Sequence, residues 1–410
     1  MWIKFILVNH NHQKIQPELH AQSQHKIKID QIDPHAREII HNLNKSGFQA
    51  YLVGGCIRDL ILEKYPKDFD VVTEATPEQI KQAIPKSRII GRRFKLVHVR
   101  KGKKVTEVST FRSKGGKRTS KTNRGMVLRD NFYGTIKEDA FRRDFTINSL
   151  YLDISSMKII DYTGGYSDVK NKLLVSLGDS RLRFREDPIR IIRAIRFSSN
   201  LDLKLKKSLS KNLVHFAYLL KDIPPARKYD EILKLFLTGN AKRNFIALLD
   251  FHILKYLLPI SAKQCADKKK KLFFLTALSD SDERIKKGLP LTPAFLFSVL
   301  LWPGLTERIG DINSIKLKIP SLLRASNIIL KQNRQDCFIP KRIENMIKEI
   351  WALQIRLLKY PPRSNLIYSH KRFRAGYDFL LLREEAGENL SGAGRWWKEN
   401  QPRPKNSYIK

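Results

Sequence analysis

Cysteine is scarce in this 410-residue chain: Cys56, Cys265 and Cys337 are widely spaced and form no CxxC pair. That excludes a disulfide framework and a thiolate zinc site, and it fits a reducing compartment. Long apolar runs are also missing, since the best one, Pro293 to Trp302, is half of the roughly 20 residues a bilayer demands. Met1 to Val8 is apolar but too short for a secretory signal, and no small-residue cleavage site follows, so it reads as an ordinary start. No His-Asp dipeptide occurs, which removes a metal phosphodiesterase of the HD type. No period of about 20 to 50 residues repeats, which argues against a solenoid. Acids are few: 40 Asp and Glu face 78 Lys and Arg, for a formal charge of +38. A charge of that size favours a large polyanion as partner, whether RNA, DNA or an anionic membrane. With 42% hydrophobic residues the chain can still build several cores.

The texture changes along the chain. Residues 1–33 are polar, with His10, His12, His20 and His25 at no ligand spacing, and they read as a flexible N-terminal arm rather than a metal site. The next stretch, to about Val175, predicts a helix over His35 to Ser46. It also holds short β-rich runs at Ala50 to Val53, Phe69 to Thr73, Leu96 to Val99, Val105 to Phe111 and Leu150 to Asp153. Beyond Leu182 helical periodicity takes over, in Pro188 to Ser199, Ala226 to Leu237, Ala241 to Leu249, Thr292 to Leu301, Arg342 to Leu358 and Arg374 to Glu384. Ser113 to Gly125, rich in glycine and cations and free of large apolar residues, reads as a flexible basic loop.

The chemistry begins at Leu52-Val53-Gly54-Gly55, followed by Lys67-Asp68-Phe69-Asp70-Val71-Val72. A strand from Phe69 to Val72 points Asp68 and Asp70 to one face, because side chains alternate with period 2. Two such carboxylates repel unless a cation lies between them, so the pair reads as a ligand set for hard divalent ions such as Mg²⁺. The glycines permit close backbone approach to a phosphate. Alone, the pair reads equally as solvated aspartates after a tight turn. Three later clusters change the balance. The predicted strand Glu107 to Arg112 offers Glu107 as a third carboxylate beside the metals. Glu138 to Leu150 concentrates acids and arginines, and the guanidinium fork suits triphosphate oxygens, although a salt-bridged surface helix has the same composition. Arg185 to Phe197 places Pro188 at a first helical turn, Asp187 near the N-cap, and Arg190, Arg193 and Arg196 on one stripe. That stripe suits a base and a phosphate chain, or a solvated basic face.

These four motifs, in this order, resemble those of the class II nucleotidyltransferases, the family of bacterial poly(A) polymerases and CCA-adding tRNA nucleotidyltransferases. The resemblance covers nearly the whole chain beyond residue 34. It implies an α+β head domain with the polymerase-β-like nucleotidyltransferase fold, followed by all-α neck, body and tail domains. The expected boundaries are an arm over 1–33, the catalytic head over 34–178, a neck for nucleotide base and RNA over 179–238, a body over 239–338, a C-terminal RNA-binding domain over 339–395 and a basic tail over 396–410. Within the family, Ile89 to Val99, Asp222 to Ile232 and the stretches Ile339 to Arg342, Glu349 to Gln354 and Phe373 to Arg383 are similar to the poly(A) polymerase branch. Pro224-Pro225 stands where CCA-adding enzymes usually carry Ser-x-Glu-Arg-x-x-x-Glu, and Cys56 departs from a common third glycine or alanine.

The activity implied is a polynucleotide adenylyltransferase: template-independent addition of AMP from ATP to RNA 3′ ends, releasing pyrophosphate. CCA addition to tRNA is the alternative, and a non-catalytic RNA-binding protein the remote one. By resemblance, Asp68 and Asp70 hold two Mg²⁺ ions and Asp144 is the third catalytic acid, with Glu107 the rival for that place. Gly54, Gly55, Arg58, Arg112, Arg143, Asp187, Arg190 and Arg193 are the expected nucleotide-binding residues, with Asp187 and Arg190 reading the base. Arg92, Arg93, Lys269, Lys270 and Arg395 are candidate RNA contacts, the lysines reading equally as a solvated charge run. The expected partners are RNA 3′ ends and ATP, with RNA-degradation machinery a further candidate and no membrane. The expected setting is a cytoplasmic monomer.

Overall fold

The computed structural model describes residues 16–91, 95–113, 132–310, 318–359 and 367–400. It divides into two compact units, residues 1–190 with 203–212, and residues 191–202 with 213–410.

The first unit is built on one mixed sheet. Its strands are β1 (Glu18–His20), β2 (Ala50–Val53), β3 (Val71–Thr73), β4 (Ser87–Ile90), β5 (Leu96–Lys101), β6 (Lys104–Thr110), β7 (Leu150–Asp153) and β8 (Lys158–Asp161). Their order across the sheet is β1-β8-β7-β2-β3-β6-β5-β4. Within this sheet, among the described residues, β3 and β6 alone run parallel, with Val71 opposite Val108. The central strands are apolar on both faces, and Leu52, Val53, Val71, Val72, Val108, Leu150 and Leu152 are all buried. One face is covered by the helix Pro34–Lys45, which buries Ala36, Ile39, Ile40 and Leu43. Pro34 presets its first turn, and Asp33 caps it by accepting from the amides of His35 (2.8 Å) and Ala36 (3.2 Å). Elsewhere Val53, Val72, Phe111, Ala140 and Tyr151 form one apolar cluster.

Two expectations change here. Regular strand begins at Val71 rather than Phe69, because β2 ends at Val53 and Gly54 turns the chain away, leaving residues 68 and 69 without a ladder partner. The alternation survives the loss: Phe69 is buried while Asp68 and Asp70 are exposed. The polar arm expected over residues 1–33 is likewise not free from Glu18 onward. β1 pairs antiparallel with β8, and His25 is buried, its Nε2–H donating to the Met157 carbonyl (3.0 Å) while Nδ1 accepts from the Ile27 amide (3.1 Å). A three-residue strand carries no periodicity to read, and its partner lies far along the chain.

The second unit is helical. The apolar run seen in the sequence lies within the helix Pro293–Ile309, whose residues Ala294 to Leu305 are all buried. Trp351 Nε1 donates to the Ser298 carbonyl (3.2 Å) and ties the helix Lys341–Leu357 to it. The helix Phe373–Glu385 packs closely on Lys341–Leu357, because a Cβ on Gly376 would lie 2.7 Å from Leu353 Cδ1. Gln354 Nε2 donates to the Gly376 carbonyl (2.9 Å). The four-lysine run starts a helix, Lys268–Lys286, that periodicity did not reveal. Cations oppose the dipole of a first turn, and Asp267 offsets them by accepting from the amides of Lys269 (2.8 Å) and Lys270 (3.0 Å). Among the described residues no helix is long and apolar enough to cross a membrane.

Candidate active site

Gly54 and Gly55 sit at the turn from β2 into the helix Gly55–Ile61. Gly54 has φ 78°, which disfavours any residue with a Cβ. A Cβ there would also lie 3.3 Å from the Asn148 carbonyl oxygen and 3.4 Å from Arg143 Nη1. Gly55 is less constrained, meeting only Arg58 at ordinary contact distance.

The carboxylates come together through strand register. Asp70 precedes Val71 and Glu107 precedes Val108, and Val71 and Val108 are partners across the parallel pair, so the two acids stand side by side. Asp70 is an exposed residue, open to a ligand, yet its carboxyl is pushed up to about 6. Crowding by protein atoms is the largest cause, followed by the charge of Glu107; Arg143 opposes the shift and Asp68 adds to it. Glu107 is exposed and lies 3.6 Å from His98 Nε2. Cys56, buried beneath the turn, donates weakly to the Val53 carbonyl (3.5 Å). Burial first, and the Asp70 charge second, push its thiol up to about 12, so it stays a neutral, small filler.

Asp144 is placed differently. Its Oδ1 accepts from the Phe145 amide (2.9 Å) and from Asn148 Nδ2 (3.0 Å). Asn148 Oδ1 in turn accepts from Arg58 Nη1, while Arg58 Nε and Nη2 hold Asp59 Oδ1 at 2.9 and 2.7 Å. Arg58 is therefore buried within a polar network rather than extended toward solvent.

Arg143 is clamped. Its Nε and Nη2 donate to Asp139 Oδ2 at 3.0 and 2.7 Å, its Nε also lies 3.1 Å from the Tyr151 hydroxyl, and Tyr151 donates to Asp139 (2.8 Å). Burial works against its charge, but Asp139 and Tyr151 outweigh it and keep the guanidinium firmly protonated. Asp139 is held below the usual carboxylate range despite burial, chiefly by Arg143. The Arg112 amide also donates to Asp139 (3.3 Å), and Arg112 Nη2 reaches the Lys95 carbonyl (3.3 Å).

A second set of arginines lies at the end of the helix Ser180–Glu186. Arg183 donates through Nη2 to the carbonyls of both Arg142 and Arg143 and through Nη1 to Glu186 (2.6 Å). Burial, then the Arg190 charge, pushes it down to about 10. Asp187 caps the C-terminus of that helix and stands two residues before the next, Ile189–Leu201, with its Oδ1 3.4 Å from the Ile189 amide, near the N-terminus expected of it. Arg190 Nη1 lies 3.5 Å from Glu186 Oε2 and from the Arg183 carbonyl. Arg193 and Arg196, farther along that helix, both lie 5.0 Å from the centre of the Phe197 ring.

The structure thus brings Asp70, Glu107, Arg143 and Gly54 together, joins Arg58 to Asp144 through Asn148, and sets Asp187 beside Arg190. Lys270 Nζ is engaged with Gln264 Oε1 (2.6 Å), while Lys269 and Arg395 are exposed. Arg92, Arg93, most of the basic loop and the last ten residues lie outside the described residues. Asp139, Asn148, Tyr151, Arg183 and Glu186 were given no role from sequence. The Asp139-Arg143 pair has the i,i+4 spacing that could have revealed it; the others depend on tertiary placement.

Comparison with known proteins shows the family. Residues 50–175 match the model of the poly A polymerase head domain, 202–265 that of the probable RNA and SrmB-binding site of polymerase A, and 316–408 that of the polymerase A arginine-rich C-terminus. The chain is 37% identical to poly(A) polymerase I of Salmonella typhi over 93% of its own length and 85% of that protein. It is 38% identical to poly(A) polymerase I of Haemophilus influenzae, over 89% and 84% respectively. A CCA-adding enzyme of Lactobacillus helveticus is 34% identical over 55% of this chain and 56% of its own. Among solved structures, the CCA-adding enzyme of Bacillus stearothermophilus in complex with CTP shares the fold, with a TM-score of 0.61 at 24% identity over 90% of this chain and 82% of that one. The chain belongs to the bacterial poly(A) polymerase I family of nucleotidyltransferases.

Proposed function

We propose that the chain adds AMP from ATP to RNA 3′ ends without a template. One observation carries this reading: poly(A) polymerase I relatives align over 93% of the chain at 37% identity, whereas the CCA-adding relative spans 55%.

Asp68 and Glu107 bring like charges to bear on Asp70, a conflict that a hard divalent cation relieves, and their oxygens must draw closer than the 4.8 Å mutual spacing of a formed site to share one. These residues would hold two Mg²⁺ ions. Bound there, Mg²⁺ supplies Lewis acidity that favours the RNA 3′-alkoxide and neutralises the departing pyrophosphate. Below about pH 6 a proton competes with the cation for Asp70. Gly54 lets the triphosphate approach the backbone, and Arg143, clamped against the same turn, faces it with a fixed positive charge. Asp144 and Asn148 act as positioning residues that hold Arg58 beneath the turn.

Asp187 and Arg190 are proposed to read the base. A carboxylate accepts from the adenine 6-amino group while a guanidinium donates to ring N1, a pattern that guanine and uracil invert. Cytosine presents the same pattern as adenine, so rejection of CTP must come from the shape of the pocket. The remaining positive charge would hold the RNA backbone without reading sequence, so activity should fall steeply with salt. The same reading places the enzyme in the cytoplasm as a monomer, with RNA-degradation machinery as a partner.

The deciding experiment is extension of a generic RNA, and of tRNA lacking its CCA end, with each nucleotide offered separately. Long runs of AMP on both substrates are expected. Efficient CMP incorporation that stops after completing tRNA would overturn the reading in favour of CCA addition.

A further inference from the structure

The edge of the head sheet carries a second group of metal-ligating side chains, separate from the carboxylates of the catalytic cleft. Glu18 on β1 is the register partner of Asp161 on β8, and His20 lies two residues along β1. Like charges directly opposite each other across an antiparallel pair are destabilising, so this register is costly unless a cation lies between the two acids. Ligand atoms of Glu18, His20 and Asp161 lie within 4.8 Å of one another.

His20 is the informative member. Its side chain is 6% exposed, and Nε2 is buried with no hydrogen-bond partner. Nε2 lies 3.8 Å from Glu18 Oε2 and 4.0 Å from Asp161 Oδ2, too far for hydrogen bonds. Two donors that share a tetrahedral ion at about 2.1 Å stand about 3.4 Å apart, so contraction of each separation by roughly half an ångström brings both onto one ion. The supporting shell is built. Asp161 Oδ1 accepts from the Thr163 amide (2.8 Å) and hydroxyl (3.2 Å), and Oδ2 accepts from the Tyr166 amide (2.9 Å). The His20 ring is stacked on Tyr166 at 4.0 Å, and the Tyr166 hydroxyl is anchored to the Gln24 carbonyl (2.8 Å). Two of the three ligands are thus held in place before any ion arrives, and the exposed Glu18 closes over it.

We propose that Glu18, His20 and Asp161 bind Zn²⁺, which fastens the first strand to the edge of the sheet. One imidazole with two carboxylates suits Zn²⁺ and distinguishes this site from the all-carboxylate cleft, which suits Mg²⁺.

The test uses the full chain, stripped with chelator and then dialysed against Zn²⁺ with Mg²⁺ in excess, with bound Zn²⁺ counted by elemental analysis. The wild type should retain one Zn²⁺ per chain that Asp68→Asn does not remove. His20→Ala should lower the affinity at least about 100-fold, with circular dichroism reporting whether it folds. Glu18→Gln, a change at an exposed residue, keeps the test decisive if it does not, and should also weaken binding. Loaded wild type should resist proteolysis near residues 18–25 and melt higher than the stripped chain, gains that Glu18→Gln loses in large part. Absence of Zn²⁺ from the wild type, or equal Zn²⁺ affinity in wild type and Glu18→Gln, overturns the proposal.

Discussion

Asp70 and Glu107 are neighbours because the residues that follow them, Val71 and Val108, are partners on adjacent parallel strands. The Glu107 charge is the second-largest cause of the raised Asp70 carboxyl, whereas Asp144 is held by the Phe145 amide and Asn148. We propose that Glu107, rather than Asp144, completes the metal-binding set. Glu107→Gln is expected to lower AMP incorporation about 100- to 1,000-fold, the range seen when one charge-stabilising group is removed from a catalytic site. Asp144→Asn, which can still accept from Phe145, should lose less. Extension rates at saturating Mg²⁺ and ATP rank the two, and a reversed order would restore Asp144 to the metal.

The raised Asp70 carboxyl sets a pH dependence whose sign is fixed. In the folded chain it titrates near 6, above the ordinary carboxylate value of 3.8. As pH rises from about 4 to about 6 the unfolded chain releases its proton first, so metal-free stability is lost across that window. Asp70→Asn should therefore raise the melting temperature in chelator at pH 7 and above, and leave it nearly unchanged near pH 4, while abolishing extension. Mg²⁺ affinity of the wild type should fall as pH drops through about 6. Thermal melts with and without Mg²⁺ across this range check both directions.

The catalytic half of the fold was legible where the chain repeats short-range rules. The strand Ala50–Val53 follows from its β-rich run and the helix Pro34–Lys45 from helical periodicity, one residue displaced from His35 to Ser46, and Phe69 is buried between two exposed aspartates as alternation demands. What stayed hidden depends on register. Nothing in the local sequence tells that Glu18 lies opposite Asp161 or that Asn148 joins Arg58 to Asp144. The helix Lys268–Lys286 was missed because its first turn carries cations where a dipole favours acids, and the compensating cap at Asp267 is one residue.

Gly54 and Gly55 look equivalent in sequence and should not behave so. Gly54→Ala introduces a Cβ at φ 78° and against the Asn148 carbonyl, at a cost of at least about 1–2 kcal/mol in stability. It should also raise KM for ATP, because the turn that meets the triphosphate and Arg143 must shift. Gly55→Ala meets only the Arg58 side chain at 3.5 Å and should leave both quantities close to wild type. Urea denaturation paired with ATP saturation curves separates the two substitutions.

Arg383 and Glu388 form an ion pair with unequal exposure, and that asymmetry predicts which partner matters more. The Arg383 side chain is fully buried, lies 4.9 Å from the centre of the Trp302 ring, and donates to Glu388 Oε2 (2.8 Å) and to Gln354 Oε1 (3.2 Å). The Glu388 side chain is 31% exposed. Removing Glu388 strands a buried cation, so Glu388→Ala should cost about 3–5 kcal/mol. Arg383→Met keeps an apolar stem in the same space and leaves behind a carboxylate that water can reach, so its cost should be smaller, about 1–3 kcal/mol. Chemical denaturation of the two variants tests the order, and a costlier Arg383→Met would mean that contact with Trp302 and Gln354, rather than charge compensation, dominates this part of the helical unit.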